Sequence, residues 1–388
     1  MKFSVDAHAI GQNLTGNEVY VRSLLHAFAS LDREARFITY LSKRDARDWV
    51  PERFQTRPVA ANPFLRLGFN LSQRLREDQP DLVHVQYTAP LACPVPVVVS
   101  VHDVSFWEHP EFFPRARAWQ LRWTVSRTVR RAARILTWSE FSREAISRVY
   151  GIDERKIAVI PNAASPYFRP LHLDNALDAV RNRFSVPAPF ILSVGDMQPR
   201  KNHIGLIRSF ARLVKSFPQL RQRLVIAGKE TWFSPRVRDA ARHSGVADRI
   251  RILGFVTDDD LLHLYNACDL FVQPSFYEGF GLPILEAMVC GRAVACANTS
   301  AMPEVADGAA ILFNPYSIDE MTRAMADLLR DSELRTRMER IGQQRAAYFS
   351  WQKTARETLR VYYEVAEQKY RKLGRRPVGQ PPASVPSR

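Results

Sequence analysis

The sequence predicts a two-domain α/β protein in which strands and helices alternate along the chain. It has 388 residues, and a chain of this length usually divides into two domains with separate hydrophobic cores. Short apolar runs such as Phe190–Val194 and Leu270–Val272 are typical of buried strands, and helical patterns separate them. The composition, 46% hydrophobic and 24% charged, is that of an ordinary globular protein.

The N-terminal segment reads as a strand, a glycine loop and a helix. Phe3–Val5 is the predicted strand, Gly11–Gly16 the loop and Glu18–Ser30 the helix, with Asn17 as its cap. This order is typical of a Rossmann-like start. The loop lacks the G-x-G-x-x-G pattern, so a dinucleotide site is not predicted.

A polar residue follows one of the most apolar strands of the first half. The further strands predicted here are Arg36–Leu41, Asp81–Gln86, Val95–Val101, Arg134–Trp138 and Lys156–Ile160. Val95–Val101 ends in His102, and open α/β sheets bind ligands at the carboxyl ends of central strands. His102 is therefore a candidate site residue. The alternative is a histidine that the backbone satisfies at a strand end.

The segment 113–135 is strongly basic. Residues 115–134 carry seven arginines and no acidic residue, interleaved with Trp119 and Trp123, and the whole chain has a formal net charge of +15. As a helix, this segment suits an anionic membrane surface. The alternative is a core-packed helix with a solvated basic face. No nucleic-acid partner is expected, because no RRM, KH or zinc-finger pattern accompanies the charge.

Two adjacent cations mark the start of the second half. A strand ends just before Gly195, and Arg200 and Lys201 then precede the helix 204–217, which Asn202 can cap. An arginine fork beside a lysine point charge is a good clamp for a diphosphate. A pair of solvated charges is the alternative interpretation.

Two carboxylates flank a turn that leads into a helix. The turn contains Gly279 and Gly281, and Pro283 suits the first helical turn. Glu278 stands before the turn and Glu286 about one helical turn inside the helix, so they can face different parts of one ligand. Carboxylates accept charge-assisted hydrogen bonds from sugar hydroxyls. An ordinary strand–turn–helix with two solvated glutamates would give the same pattern.

The run Glu278–Glu286, followed by Gly291, resembles the E-x7-E signature of the retaining glycosyltransferases of family 4. The segment His102–Phe113 most resembles the mannosyltransferase-like branch of that family. The resemblance implies the GT-B fold: two Rossmann-like domains whose parallel sheets face each other across a cleft, with a C-terminal crossover helix.

The resemblance also implies the roles of individual residues. The catalytic set would be His102, Glu278, Arg200 and Lys201. The residues that hold the donor would be Gly16, Gly195, Phe255, Val256, Gly279, Phe280, Gly281, Leu282 and Glu286. No metal ligand and no cofactor is expected, because Arg200, Lys201 and the helix start at Pro283 can neutralise a leaving diphosphate.

The implied reaction moves a hexosyl group, mannosyl favoured, from a nucleotide-diphospho-sugar to a saccharide or lipid-linked acceptor with retention. GDP-mannose is the first expectation for the donor and a UDP-sugar the second. The pathway would be bacterial surface polysaccharide synthesis. Two alternatives stay open: another GT-B chemistry, such as a nucleotide-sugar epimerase or a phosphorylase, and a non-enzymatic basic protein that binds nucleic acid or membrane.

The expected domains are 1–165 on the acceptor side and 166–350 on the nucleotide-sugar side, with a linker near 165–188. A helix over 351–373 is expected to pack on the first domain, and 374–388 to be a disordered tail. The four cysteines lack a C-x2-C pair, and neither a signal peptide nor 18 consecutive apolar residues are visible. These features predict a cytoplasmic protein that could lie peripherally on the inner face of the membrane.

Overall fold

A computed structural model of the chain describes residues 1–12, 15–372 and 374. The chain forms two units, one from Met1–Asn162 together with the chain from Ser350 onward, the other from Ala163–Phe349. The predicted disordered tail lies outside the described residues, apart from Gly374.

The first unit is built on a seven-stranded parallel sheet. Its strands are β1 Lys2–Asp6, β2 Arg36–Leu41, β3 Gln55–Pro58, β4 Leu82–Gln86, β5 Val97–Ser100, β6 Arg134–Thr137 and β7 Ile157–Val159. Their order is β3-β2-β1-β4-β5-β6-β7. Val5 of β1 aligns with Thr39 of β2 on one side and with His84 of β4 on the other. The strand order therefore reverses between β1 and β4.

α-Helices lie in the connections β1–β2, β3–β4, β5–β6 and β6–β7. They are α1 Thr15–Leu31, α2 Pro63–Leu65, α3 Leu71–Asp78, α4 Ser105–Glu108, α5 Arg115–Arg131 and α6 Glu140–Tyr150. A short π-helical segment, Arg66–Asn70, joins α2 to α3. Fully buried side chains of β4, β5 and β6, such as Val83, Val99 and Ile135, pack with Val125 and Val129 of α5.

The second unit contains a six-stranded parallel sheet. Its strands are β8 Phe190–Val194, β9 Arg223–Ala227, β10 Ile250–Gly254, β11 Leu270–Gln273, β12 Val294–Ala297 and β13 Ile311–Phe313. The order is β10-β9-β8-β11-β12-β13, the order of a Rossmann fold. The helices are α7 Leu173–Phe184, α8 His203–Ser216, α9 Ser234–Arg242, α10 Asp258–Ala267, α11 Leu282–Val289, α12 Met302–Ala306, α13 Ile318–Arg330 and α14 Ser332–Ala347.

The last helix, α15 Trp351–Lys372, belongs to the first unit. The Tyr362 hydroxyl lies 2.5 Å from Nδ1 of His84 on β4. The rings of Tyr362 and Tyr363 contact the ring of Phe3 edge-on, with centroids 5.3 and 5.2 Å apart. These aromatic contacts place α15 in the core of that unit.

The structure corrects three local predictions. Helix α1 begins at Thr15, so Gly16 lies in its first turn and Asn17 is inside the helix, not a cap. The segment 165–188, predicted as a linker, contains α7. Strands β3 and β13 were not predicted. The predicted cap of α8 is confirmed, since Oδ1 of Asn202 accepts from the Gly205 amide at 3.2 Å.

Candidate active site

The candidate donor site lies at the carboxyl ends of β8 and β11. These two strands are neighbours in the middle of the second sheet, where the strand order reverses. Ligands of open α/β sheets bind at this position. The chain after β8 supplies Gly195, Arg200 and Lys201, and the chain after β11 supplies Glu278. The topology thus brings together residues that are more than 70 positions apart.

The Glu278 carboxylate is the centre of the site. It is 7% exposed. Its Oε1 accepts from Lys201 Nζ at 2.6 Å, from Ser275 Oγ at 2.7 Å and from Gln273 Nε2 at 3.0 Å. Its Oε2 accepts from Nη1 of Arg200 at 2.7 Å. The two predicted diphosphate ligands therefore share one internal carboxylate.

These contacts decide the charge of the site. Burial alone would raise the pKa of Glu278, but the charges of Arg200 and Lys201, with the hydrogen bonds from Lys201 and Ser275, lower it to about 2. Glu278 is therefore ionised at neutral pH. Two cations face one carboxylate, so the cluster keeps an excess positive charge that favours an anion.

Backbone contacts fix the loop that carries Glu278. Its amide donates to Ser300 Oγ at 2.9 Å, and the amide of Phe276 donates to the carbonyl of Arg200 at 2.8 Å. Nη1 of Arg200 also donates to the carbonyl of Tyr277 at 2.6 Å. Arg200 and Glu278 are held by main-chain as well as side-chain contacts, which preorganises the cluster.

Two glycines make room for this arrangement. A Cβ at Gly195 would stand 3.1 Å from Cδ of Lys201, so the lysine stem packs directly over the glycine backbone. Gly281, which precedes α11, has φ +102°, a conformation that side chains disfavour, and its Cβ would lie 3.2 Å from Ile284. Gly195 positions the lysine, and Gly281 sets the entry into α11.

Glu286 sits in a different environment from Glu278. It is a partly buried residue of α11, and the Tyr265 hydroxyl donates to its Oε2 at 2.8 Å. Burial raises the pKa of Glu286 to about 7, although the Tyr265 hydrogen bond opposes the rise. The two glutamates of the motif thus differ in protonation: one is ionised, and the other titrates near neutrality.

The other predicted donor-side residues surround this cluster unevenly. Phe280 is 3% exposed in the turn between Gly279 and Gly281, and Leu282 opens α11. Val256 is 8% exposed, whereas Phe255 is 56% exposed, on the loop that follows β10. β10 is the outermost strand of the sheet, two positions from β8. Phe255 follows the carboxyl end of β10, so its accessible ring lies on the same side of the sheet as the Glu278 cluster.

His102 lies in the first unit, just after β5. It is 3% exposed, and its Nε2 is 3.3 Å from Oε1 of Gln86. Its ring stacks on Trp138 with centroids 3.7 Å apart, and the Tyr20 ring meets it edge-on. Burial lowers the pKa of His102 well below its usual range, so the ring is neutral. Nδ1 is buried and has no hydrogen-bond partner in the described part of the chain.

The structure reveals a further polar cluster that the sequence did not single out. Asp6 ends β1 and is 1% exposed; its Oδ1 is 3.1 Å from His8 Nδ1. Nε of Arg66, which is itself 5% exposed, lies 3.7 Å from Asp6 Oδ2. Strands β1, β4 and β5 are consecutive, so Asp6 and His102 share one sheet edge. The polar-residue-after-a-strand rule that selected His102 could also have found Asp6; no local pattern marks Arg66.

Gly16 lies in the first turn of α1, where a Cβ added to it would have no atom within 4 Å. Its place in α1 therefore does not itself demand glycine. Across the described ranges, no group of three His, Cys, Asp or Glu side chains could hold a metal ion. Among those same residues, no helix is long and apolar enough to cross a bilayer.

Comparison with known proteins identifies the family. The model of glycosyltransferase family 4 matches residues 14–166, and that of glycosyl transferases group 1 matches residues 177–345. The O-antigen chain mannosyltransferase B of Escherichia coli is 32% identical over 265 residues, 68% of this chain and 69% of that protein. The chain is a family 4 glycosyltransferase.

Other similarities agree with this family and with the fold. The serotype-specific mannosyltransferase WbdA of Escherichia coli is 33% identical over 228 residues, which are 58% of this glycosyltransferase but only 28% of WbdA. The crystal structure of HepE from Anabaena, in complex with UDP and glucose, has a TM-score of 0.75 at 19% identity and covers 94% of this chain and 100% of HepE. The predicted α/β, GT-B fold class is confirmed.

Proposed function

We propose that this glycosyltransferase moves a mannosyl group from a nucleotide-diphospho-sugar to a saccharide acceptor in bacterial surface polysaccharide synthesis, with retention and without a metal. The observation that carries the donor side is the buried cluster of Glu278 with Arg200 and Lys201. The names of the two Escherichia coli relatives support the sugar. GDP-mannose is the first donor choice and a UDP-sugar the second.

The cation pair would act on the leaving diphosphate. Arg200 presents a planar fork and Lys201 a point charge, and both are less than one-fifth exposed. In a poorly hydrated site, such charges stabilise negative charge that develops as the glycosidic bond breaks. Glu278 keeps both cations oriented before the donor arrives, so little rearrangement accompanies the reaction.

The glutamates would hold the two sugars of the donor. Ionised Glu278 can accept a hydrogen bond from a hydroxyl of the transferred hexose, while Glu286 can accept hydrogen bonds from the ribose hydroxyls. The exposed Phe255 ring would contact the base. The neutral ring of His102 would exchange hydrogen bonds with the transferred sugar or the acceptor. We assign no protein nucleophile; a phosphate oxygen of the leaving group would deprotonate the acceptor, and the new bond would form on the face that it leaves.

The acceptor side would use the first unit. Asp6 can accept from a saccharide hydroxyl, and Arg66 can donate to a neighbouring oxygen. Helix α5 carries six arginines and no acidic residue, and Trp119 and Trp123 are 72% and 54% exposed on it. This combination fits peripheral contact with an anionic membrane that presents a lipid-linked acceptor.

The first experiment is a thermal-shift panel with GDP, UDP, ADP and their sugar conjugates, with and without EDTA. A ligand that binds only the folded chain raises the melting temperature. We expect GDP and GDP-mannose to raise it equally with and without EDTA. An EDTA-sensitive shift would contradict metal independence, and a shift with UDP alone would replace the donor.

Product analysis then tests the reaction. Incubation with the donor identified above and a mannoside acceptor is expected to give an α-linked product. The one-bond C1–H1 NMR coupling of the new mannosyl residue identifies this linkage. An inverted linkage would contradict retention. Conversion of the donor sugar without an acceptor would instead favour an epimerase.

A further inference from the structure

A cavity of about 660 Å³ lies in the first unit, away from both candidate sites. It is lined by the C-terminal part of α5, the loop 89–97 and α15, and it is open to solvent on one side. Val97 and Ala133, which line it, stand at the amino ends of β5 and β6. His102 follows the carboxyl end of β5, so the cavity is at the opposite edge of the same sheet. Its size is within the range of ligand pockets.

The cavity combines apolar walls with cations. Its apolar lining includes Leu91, Pro94, Val95, Pro96, Val97 and Val365. Its charged lining consists of Arg127, Arg131 and Lys369, with no acidic residue among the described residues that line it. A ligand that fills it would therefore need a hydrocarbon part and an anionic group.

The three cations are not equally neutralised. Lys369 Nζ lies 3.4 Å from Asp81 Oδ1, which balances its charge. Arg127 donates to the backbone carbonyls of Pro90 and Leu91. Arg131 is exposed, and in the described part of the chain no hydrogen bond or ion pair is formed by its side chain.

Two arginines therefore face the cavity one helical turn apart, without a carboxylate. Partial burial, and then the nearby charge of Arg131, lower the pKa of Arg127. Like charges held together repel each other, and an anion placed between them relieves that repulsion. The charge of this wall is complementary to a phosphate group.

The surface beside the cavity is unusually apolar. Phe64, Leu65 and Phe69 are 79%, 63% and 65% exposed on the segment 62–70. The amide of Leu91, a cavity residue that is 48% exposed, donates to the carbonyl of Leu67 in that segment at 2.8 Å. Exposed apolar groups joined to a cationic site are typical of surfaces that enter the boundary of a bilayer.

We propose that this cavity binds the phosphate head and the upper acyl chain of an anionic phospholipid, and that the bound lipid docks this face of the chain on a bilayer. Arg131 and Arg127 donate to the phosphate oxygens, and the loop 89–97 covers the hydrocarbon. The site is separate from the transfer reaction proposed above, and its test needs no turnover.

Cys93 provides a built-in reporter of occupancy. It lines the cavity and is partly buried, whereas the other three cysteines of the chain are fully buried. N-ethylmaleimide should therefore modify Cys93 first, and mass spectrometry of the peptide measures the rate. Burial raises the pKa of the Cys93 thiol, so the reaction is followed at mildly alkaline pH.

Vesicles that contain phosphatidylglycerol are expected to slow the labelling of Cys93. At an accessible lipid concentration ten times its Kd, the rate should fall about tenfold. Monomeric short-chain phosphatidylglycerol should also protect the thiol, because the site holds one lipid. Vesicles of phosphatidylcholine alone and inorganic phosphate alone should leave the rate unchanged.

The matched variants are Arg131→Gln and Arg130→Gln. Both remove one charge from an exposed arginine of α5, but only Arg131 lines the cavity. Protection should be lost in the first and kept in the second. Equal loss in both would show diffuse attraction without a site. Protection by phosphate alone would identify a free-anion site, and protection by phosphatidylcholine an apolar one; either result, like no protection at all, overturns the proposal.

Discussion

At the scale of single residues, Glu278 forms ion pairs that the E-x7-E spacing alone does not specify. The proposed role of this carboxylate is to bind the donor sugar, and in the structure it also binds Arg200 and Lys201. A buried ion pair that loses one partner leaves an uncompensated charge. Glu278 therefore stabilises the cation pair, in addition to the role proposed for it in the reaction.

The variant Glu278→Gln separates these two roles. Without the negative charge, Arg200 and Lys201 repel each other, so we expect the free energy of unfolding to fall by about 3 kcal/mol and transfer to fall at least about 100-fold. A nucleoside diphosphate should raise the melting temperature more than in the parent, since it supplies the missing charge. Differential scanning fluorimetry and transfer assays measure both effects.

The control for this variant is Glu77→Gln, which changes an exposed carboxylate of α3 paired with Arg74. It should alter neither quantity, because surface ion pairs contribute little. A Glu278→Gln chain that transfers normally would sink the assignment of this residue to the donor site.

We expect nucleotide binding to depend on pH through the Glu286 carboxyl group. Its pKa is about 7, and ribose hydroxyls bind the ionised form, so affinity should increase as pH rises through 7. Below that pH, the Kd for the nucleotide should increase by up to about tenfold per pH unit. Calorimetric titration at several pH values between roughly 5.5 and 8.5, which bracket this transition, measures the Kd.

Two variants test this origin. In Tyr265→Phe the hydrogen bond that lowers the Glu286 pKa is absent, so the transition should move to higher pH. In Glu286→Gln the affinity should be weaker and almost independent of pH. A transition that survives in Glu286→Gln belongs to another group.

Short sequence patterns are enough to propose the site residues, but they do not show how the fold joins those residues. The sequence predicted Arg200, Lys201, Glu278 and Glu286 from short patterns. Lys201 and Arg200 are 77 and 78 positions from Glu278, and their ion pairs with it depend on the adjacency of β8 and β11. Nothing local to either segment encodes that adjacency.

At the scale of elements, α15 is the clearest example of sequence-distant packing. Tyr362 and Tyr363 contact Phe3 of β1, and the Tyr363 hydroxyl donates to Asp32 Oδ2 at 2.8 Å. Asp32 directly follows α1. The last helix thus ties the first strand and the first helix together.

Truncation of this contact should destabilise the first unit. Tyr362→Ala removes a fully buried ring and leaves its partner His84 without the hydroxyl, so the free energy of unfolding should fall by about 3–5 kcal/mol. Gln352→Ala, an exposed change on the same helix, should cost less than about 0.5 kcal/mol. Urea denaturation measures both, and equal effects would show that α15 is not part of this core.

Helix α5 allows a second test at this scale. Trp119 and Trp123 are largely exposed, so replacement of both by Ser should leave folding intact. We expect weaker sedimentation with anionic vesicles, because interfacial tryptophans contribute to membrane binding. Trp232→Ser, a change at 56% exposure in the second unit, is the control. Unchanged sedimentation of the double variant would assign α5 to another role.

Element prediction succeeded where apolar periodicity was strong. The buried strands β1, β2 and β4–β7 lie within one or two residues of their predicted positions. Strand β3, Gln55–Pro58, has no buried residue and no apolar run, so no pattern marked it. Helix α7 buries only Ala176 and Val180, too narrow a stripe to distinguish a helix from a linker.

At the scale of the whole molecule, buried ionisable groups set the response to acid. His84 and His203 have pKa values of about 3 because of burial, and burial lowers that of His102 as well. The unfolded chain binds their protons near pH 6.5, so their stability is present above that pH and is lost as pH falls. Glu286 has the opposite sign, because its pKa is raised, and offsets one of the three.

We therefore expect the urea midpoint to fall between pH 7.5 and 5.5, roughly the interval in which free histidine titrates. The free energy of unfolding should fall by up to about 1.4 kcal/mol per pH unit for each proton that only the unfolded chain binds. Below pH 4.5 the depressed pKa of Glu278 adds to the loss, which continues to about pH 2. A midpoint that stays constant down to pH 5.5 would show that these histidines gain protons in the folded chain.

The return of the chain to its first unit has a consequence for biosynthesis. Ala163–Phe349 is continuous, so a ribosome has delivered the whole of the second unit before Ser350 is made. The first unit still lacks α15 at that moment, although seven of its strands have long left the exit tunnel. Domains generally fold as units during synthesis. We therefore expect the second unit to fold first, because the first unit is complete only when α15 joins it.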